Sequence, residues 1–509
     1  MKQRITYFVQ QGTQLDLKDI YVKPDGVNYS ASQPPFVEKR VIASLSELPE
    51  ELRDVFNQIH ELHIRWSSRI KYDPISPLVS RLPPGLHVFF TPRQQERDGN
   101  ICLLLKKAFG DMKCDTVLDS FSSPSILSGR FSSASTYQYY SPLPKIIHFQ
   151  LFLARAICKE TTEQCIYEAA SLLYSSYIDI DYDALSHVVT LTAFWRAGIQ
   201  PGAAITASRI WKTGNSLEVG ILQNEEPDEP EEMKLGGYIT EVGQQEKPSA
   251  TLFSFPSRHH PLPSSNGALY TMDFIRPAGL HPKMVISFPK RGELLQPKEG
   301  HCALHAYLTL PSPLFIDRYQ LSDPLFLASH NLIALRSLSG EQDLEAPDWV
   351  IKRWGSAALL ELAHPDQVTL NETNEMWNVT IPMHLRYLKY NLNFTDSKKI
   401  SIDITYPAIF WACEADEGLK MSTSPFDRVN LGYDGLFGPK TMFYHIPSAL
   451  EEGELLQMKL NVPVINPSDA PMVQLGTLVA IILGFGWVAW QLIRTRFLRQ
   501  DHGNHSWNN

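Results

Sequence analysis

Residues 473–493, VQLGTLVAIILGFGWVAWQLI, run on without a single charged side chain. A bilayer core is about 30 Å thick and an α-helix rises about 1.5 Å per residue, so about 20 apolar residues cross it. The run predicts one membrane-spanning helix, and every other element must fold on one side of it or the other. Its flanks are unequal: Asp469 and Pro471 precede it, while Arg494, Arg496 and Arg499 follow. Basic flanks stay on the cytosolic side. Residues 494–509 are therefore expected to be a cytosolic tail, with the large remainder across the membrane. Trp487 and Trp490 fall near the arginine end, where indoles favour the headgroup layer. The competing reading, a buried core helix, fits a run of this length without charge poorly.

The remainder is long enough for two or three domains. Of the 509 residues, 20% are charged, 43% hydrophobic and 11% aromatic, a packed globular composition. The net charge of −9 and the lack of a long basic run away from the membrane flank exclude nucleic acid as a partner, since phosphate binding needs concentrated Lys and Arg. The opening MKQRITYFVQQGTQLDL holds no apolar stretch of roughly 7–15 residues, so no cleaved signal peptide is expected. Four glycosylation acceptors precede the apolar run, at Asn28, Asn371, Asn378 and Asn393. They fit a lumenal body. Asn504-His-Ser follows the run and would go unused in the cytosol. The six cysteines, at 102, 114, 158, 165, 302 and 413, contain no CxxC pair. Bridges and buried thiols are both open, and pairing is not readable from spacing.

Two segments read as punctuation. Residues 225–232, EEPDEPEE, are acidic and broken by proline, and residues 244–267 are rich in Pro, Ser and polar side chains. Such composition predicts a linker over 223–267. It separates a mixed α/β region, 1–222, from a β-rich region, 268–468. In the first region Ser46 is placed to cap a helix whose apolar stripe is Leu48, Leu52, Val55, Ile59 and Leu62. A strand is expected at Leu86–Phe90 and a second helix over 147–173. In the second region Cys302, Leu304, Ala306, Leu308 and Leu310 alternate with polar neighbours, as do Trp377–Tyr387, Ile400–Tyr406 and Met458–Val464. Period two means strands with one buried face, and several in a row predict an antiparallel, sandwich-like domain next to the membrane. The fold expected is mainly β with some α and one C-terminal transmembrane helix.

Catalytic motifs are sparse. G-x-S-x-G, G-x-G-x-x-G and H-E-x-x-H are all missing, so neither a cofactor nor a metal site is expected. His60 and His63 share a face if helical but lack a third ligand. Asp179, Asp181 and Asp183, two apart, would line one strand face. They could hold a metal-bound sugar nucleotide as Asp-x-Asp does in glycosyltransferases, against the simpler reading of a solvated edge. His301 and His305 are expected on the polar face of their strand, in a surface role. In the apolar run Gly476, Ala480 and Gly484 recur every four residues, a spacing that lets a second helix approach closely.

The order of His281-Pro-Lys-Met, Gly300-His-Cys-Ala-Leu-His-Ala-Tyr, Leu314-Phe-Ile-Asp-Arg-Tyr, Ile381-Pro-Met-His-Leu-Arg-Tyr and Tyr406-Pro-Ala-Ile-Phe-Trp-Ala-Cys, ahead of a near-terminal apolar run, resembles the PIG-X family with its long fungal Pbn-type members. The resemblance covers roughly residues 270–495, and the N-terminal region looks like the fungal extension. It implies a non-catalytic, stabilising subunit of GPI mannosyltransferase I in the endoplasmic reticulum membrane. The partner would be a many-span catalytic subunit of PIG-M type, which adds the first mannose of the GPI precursor from dolichol-phosphate-mannose. It also implies a lumenal body without a cleaved signal (type III), no catalytic residues, and a bridge between Cys302 and Cys413. Two other readings compete: a general lumenal folding factor, and a glycosyltransferase using Asp179, Asp181 and Asp183.

Overall fold

The computed structural model describes residues 1–503 apart from loop segments, the longer of which are 94–99, 124–135, 159–162, 199–203, 209–215, 263–267, 290–296, 365–375, 390–398, 416–423 and 427–431. Two compact units divide the chain. One comprises Met1–Tyr387 with Ile402–Leu460, and the other Leu388–Ser401 with Asn461–Asn509.

The first unit is mostly β. Ten strands form one sheet: β1 (Lys2–Val9), β2 (Phe36–Ser44), β3 (Ile59–Ser67), β4 (Gly85–Pro92), β5 (Tyr137–Ser141), β6 (Tyr177–Asp183), β7 (Val188–Trp195), β8 (Ser216–Glu225), β9 (Glu232–Glu241) and β10 (Ser249–Pro256). Their spatial order is β10-β9-β8-β1-β2-β7-β6-β3-β4-β5. β1 runs parallel to β8 and every other neighbouring pair is antiparallel. Six further strands form a second sheet: β11 (His259–Pro261), β12 (Cys302–Pro311), β13 (Leu332–Gly340), β14 (Gly355–Leu362), β15 (Ala408–Glu414) and β16 (Thr441–Ile446), ordered β11-β16-β15-β12-β14-β13. Among the short helices that accompany the first sheet are α1 (Glu50–Phe56), α2 (Ile101–Phe109), α3 (Ile147–Ala156) and α4 (Glu163–Ser171).

Several expectations are corrected. The segment 223–267 is not a linker: it supplies β9, β10 and β11. Its polar composition reflects position, because β10 is the outermost strand and most of its side chains are exposed. Residues 1–222 and 268–468 are not separate bodies either, and one hydrophobic core draws on both, from Tyr139 and Tyr140 to Tyr307, Trp354 and Phe443. Polar bonds tie the same parts together. Gln138 Nε2 donates to Tyr307 Oη at 2.8 Å, Trp354 Nε1 to the Gln138 carbonyl at 3.0 Å, and Arg69 to Asp403 at 3.1 Å.

The helix expected from Ser46 is shorter than its stripe. Ser44, not Ser46, anchors a capping box with Glu47 around a 3-10 turn, and α1 then runs only from Glu50 to Phe56. Ile59 and Leu62 belong to β3, where Leu62, Ile64 and Trp66 alternate inward. A helical spacing had run by coincidence into a period-two segment. The helix expected over 147–173 is two helices, α3 and α4, with Cys158, just past α3, bridged to Cys165 in the first turn of α4. The alternation in β12 predicts a half-exposed strand, but β12 lies inside its sheet, and its polar-side residues His305, Tyr307 and Thr309 are as buried as Leu304 and Leu308. A strand covered on both faces loses its alternation. His305 is therefore a core residue and not a surface one, and burial lowers its pKa.

The buried histidine on β4 gives a measurable consequence. His87 is 0% exposed, donates Nε2–H to the Pro83 carbonyl at 2.8 Å and packs on Tyr140. Burial disfavours its charged form and brings its pKa down to about 4. In the unfolded chain the ring titrates near its ordinary 6.5. As pH falls below that value the unfolded chain therefore takes up the proton first. The stability held by the neutral ring is complete above about pH 6.5 and is lost toward pH 4, by about 2 kcal/mol at pH 5. Denaturant midpoints of the full chain between pH 7.5 and pH 4.5 should fall accordingly, and His87→Gln should flatten the slope.

Candidate functional site

Asp179, Asp181 and Asp183 do share one face of a strand, as their spacing requires. That strand, β6, is internal and not a solvated edge, with β7 on one side and β3 on the other. The register sets each carboxylate opposite a residue of β3: Asp179 opposite Arg65, Asp181 opposite His63, Asp183 opposite Glu61. Arg65 Nη1 lies 3.6 Å from Asp179 Oδ2, and His63 Nδ1 lies 2.5 Å from Asp181 Oδ1. Asp183 accepts from the Leu185 amide at 2.9 Å and so shapes the turn into β7. The Arg65 guanidinium is 3% exposed and stacks 4.4 Å over the Tyr177 ring. Burial is the largest single influence and opposes its charge, yet Asp179 together with Tyr177, Tyr72 and Asp181 outweighs it, and its pKa is raised. The acidic face is thus occupied in cross-strand pairing. His60 and His63 lie on this same β3 strand and not on a helix, His60 at an irregularity in its pairing and His63 engaged with Asp181. Among the described residues no group of three His, Cys, Asp or Glu is arranged to hold a metal.

Sequence reasoning missed a buried polar network. β11 lies parallel to β16, bringing His259 beside His445. Their rings meet Nδ1 to Nε2 at 2.9 Å, His259 Nε2 lies 3.2 Å from Asp434 Oδ2, and Tyr433 Oη lies 3.4 Å from His445 Nε2. With His259 neutral and Asp434 ionised, His259 donates from Nε2 to the carboxylate and accepts at Nδ1 from His445 Nε2–H. Such an Asp–His–His chain has the form of a proton relay. Here His259 is 0%, Asp434 2% and His445 5% exposed, and Phe410, Phe437 and Phe443 pack around them. Sealed from solvent, the network orients a core and offers no access to substrate. Its members come from segments 175 and 186 residues apart, and His259 sits in a stretch whose composition reads as loop.

All six cysteines are bridged: Cys102–Cys114, Cys158–Cys165 and Cys302–Cys413. Cys302 and Cys413 face one another in the register of β12 and β15, with Cα atoms 4.2 Å apart. Of the acceptor asparagines, Asn378 is exposed on the strand Trp377–Pro382, at the edge of a three-stranded sheet. Asn28 is half-buried on the strand Gly26–Ser30, and its side-chain oxygen is enclosed. Asn371 and Asn393 lie outside the described residues.

In the second unit one helix, α5, spans Ala470–Gly503. Its stretch Ala470–Arg496 is long and apolar enough to cross a membrane, and none of it is buried within the chain. Trp487 and Trp490 rest on one another, with Arg494 over the Trp490 ring at 5.5 Å. Gly476, Ala480 and Gly484 lie along this helix, and a Cβ placed on either glycine would meet nothing within 4 Å.

A family model described as PIG-X / PBN1 matches residues 277–493. A protein described as pbn1 from Emericella nidulans is 44% identical, covering 99% of this chain and 98% of the relative. Its namesake from Aspergillus oryzae is 42% identical over 97% of this chain and 96% of its own. PBN1 of Saccharomyces cerevisiae is 29% identical over 57% of this chain and 61% of its own.

Proposed function

Because this chain belongs to the PIG-X/PBN1 family, which serves GPI-anchor biosynthesis, we propose that it is a non-catalytic, stabilising subunit of GPI mannosyltransferase I in the endoplasmic reticulum membrane. The observation that carries this reading is kinship along nearly the whole length, 99% of this chain against 98% of one relative, which takes in both the β-rich body and the apolar helix. In this reading α5 crosses the membrane once, residues 494–509 are cytosolic and the body is lumenal, its membrane-proximal β-rich part forming a sandwich-like layer. Exposed Asn378 supports that orientation, since a glycosylation acceptor needs access to the lumenal machinery. The cross-strand pairing of Asp179 and Asp181 supports a brace and not a transferase, because carboxylates engaged by Arg65 and His63 are poor metal ligands.

The partner is a many-span catalytic subunit of PIG-M type. Its interior polar groups need defined neighbours, and a subunit that binds only its folded form raises the population of that form by mass action. The small-residue line on α5 is the contact proposed. The two glycines touch nothing in this chain, so isoleucine there should leave this chain's own fold intact. Replacing Gly476, Ala480 and Gly484 together by Ile should cut co-purification of the many-span subunit about tenfold, equivalent to about 1.4 kcal/mol of helix contact. Unchanged partner recovery would move the contact to the lumenal body.

A further inference from the structure

Between the first sheet and α1–α4 lies a cavity of about 200 Å³. Its floor comes from β2, β3, β6 and β7, through residues such as Val41, Leu191 and Ala193, and its roof from Phe149, Phe152 and Ala169 on α3 and α4. These floor residues alternate along their strands with the side chains of the opposite face, where the Arg65–Asp179 and His63–Asp181 pairs lie. Among the lining side chains only Lys39 and Glu168 are ionisable, and they pair with each other across the space from β2 to α4. Burial lowers the Lys39 pKa against the pull of Glu168.

Such a wall offers water few of the two to four polar partners that each molecule needs. An engineered apolar cavity of about 150 Å³ takes up benzene; this one, about 200 Å³ and open on one side, has room for a segment of a longer chain whose remainder leaves by the opening. The roof helices are also apolar on their outer sides: Ile147 and Leu151 on α3, and Ile166 and Tyr167 on α4, are exposed. Helices with hydrocarbon on both sides suit an occupant that arrives from an apolar phase. One polar pair at the wall suits an occupant with one polar end, since the Lys39 ammonium has three donors and only one is taken by Glu168.

We propose that this cavity binds the aliphatic tail of a single long-chain amphiphile, with an oxygen-bearing head at Lys39. The chemistry shared by fatty acyl and isoprenoid chains is what the wall recognises. This inference stands apart from the subunit reading, because it concerns the body alone and predicts binding whether or not a partner is present.

The test is photolabelling of the full-length chain in phosphatidylcholine nanodiscs, with a diazirine-bearing palmitate in one arm and a diazirine-bearing geranylgeraniol in the other. Adducts are then mapped by peptide mass spectrometry. Labelling on Ile147–Ala156, Glu163–Ser171 or Val188–Trp195 is expected, displaced by excess unlabelled probe. The stronger arm identifies the tail. Ala193→Phe, which fills the floor, should reduce those adducts at least tenfold while leaving labelling of Ala470–Arg496 unchanged. Adducts confined to Ala470–Arg496 in the native chain would overturn the proposal, as would equal labelling of the filled variant. Should Ala193→Phe not fold, the native peptide map and its competition decide by themselves.

Discussion

Replacing Cys302 and Cys413 together by serine lowers the stability of the folded chain by about 4–5 kcal/mol, a large part of what a domain possesses. The reason lies in the unfolded chain. The bridge closes a loop of 111 residues, the largest of the three, and restricts the unfolded ensemble most. In the folded state the two residues already face each other on adjacent strands, so serines there disturb little. Cys158 and Cys165 are only 7 residues apart, and the same substitution should cost about 2 kcal/mol. Denaturant midpoints of the three double variants rank them. Equal losses, or a larger loss at Cys158–Cys165, would show that the long bridge does not act through chain entropy.

Asp179→Ala should cost a further class of energy, about 3–5 kcal/mol, because it leaves the Arg65 guanidinium buried with its counter-charge removed. The paired change Arg65→Met with Asp179→Leu removes both charges and should recover most of that loss. Asp183→Ala, which gives up a turn contact, should cost about 1 kcal/mol or less. The ordering matters for function. A transferase that used the acidic strand would lose activity with any of the three carboxylates, at unchanged fold. The structure predicts loss of protein with Asp179 and near-normal behaviour with Asp183. Thermal melts beside GPI mannosylation in cells carrying each variant separate the two.

What was legible beforehand follows physical locality. The apolar run and the alternations over Trp377–Tyr387, Ile400–Tyr406 and Met458–Val464 are local signals; strands stand at Trp377–Pro382, Lys399–Thr405 and Gln457–Pro463, the first ending well before its pattern does. The Pro/Ser-rich stretch misled because an outer strand such as β10 is as polar as a loop, whereas the acidic run does fall at the turn between β8 and β9. The stripe through Leu52, Val55 and Ile59 misled because spacings of three and four persisted by accident for one turn beyond Phe56. His305 misled because burial of both faces of β12 depends on what packs over the sheet. The His259–His445–Asp434 network and the cavity beneath α3 and α4 were not legible at all. Each is assembled by sheet order from segments with no common sequence signal, and only the strand arrangement brings them together.

A chain that braces a membrane enzyme should have no transferase activity of its own. The most direct measurement is purification of the full chain from endoplasmic reticulum membranes in mild detergent, with mannosyl transfer from dolichol-phosphate-mannose to the GPI precursor assayed on the complex and on the chain alone. The account predicts a many-span partner in the complex, activity in the complex, and none in the isolated chain. Mannosyl transfer by the isolated chain would contradict it.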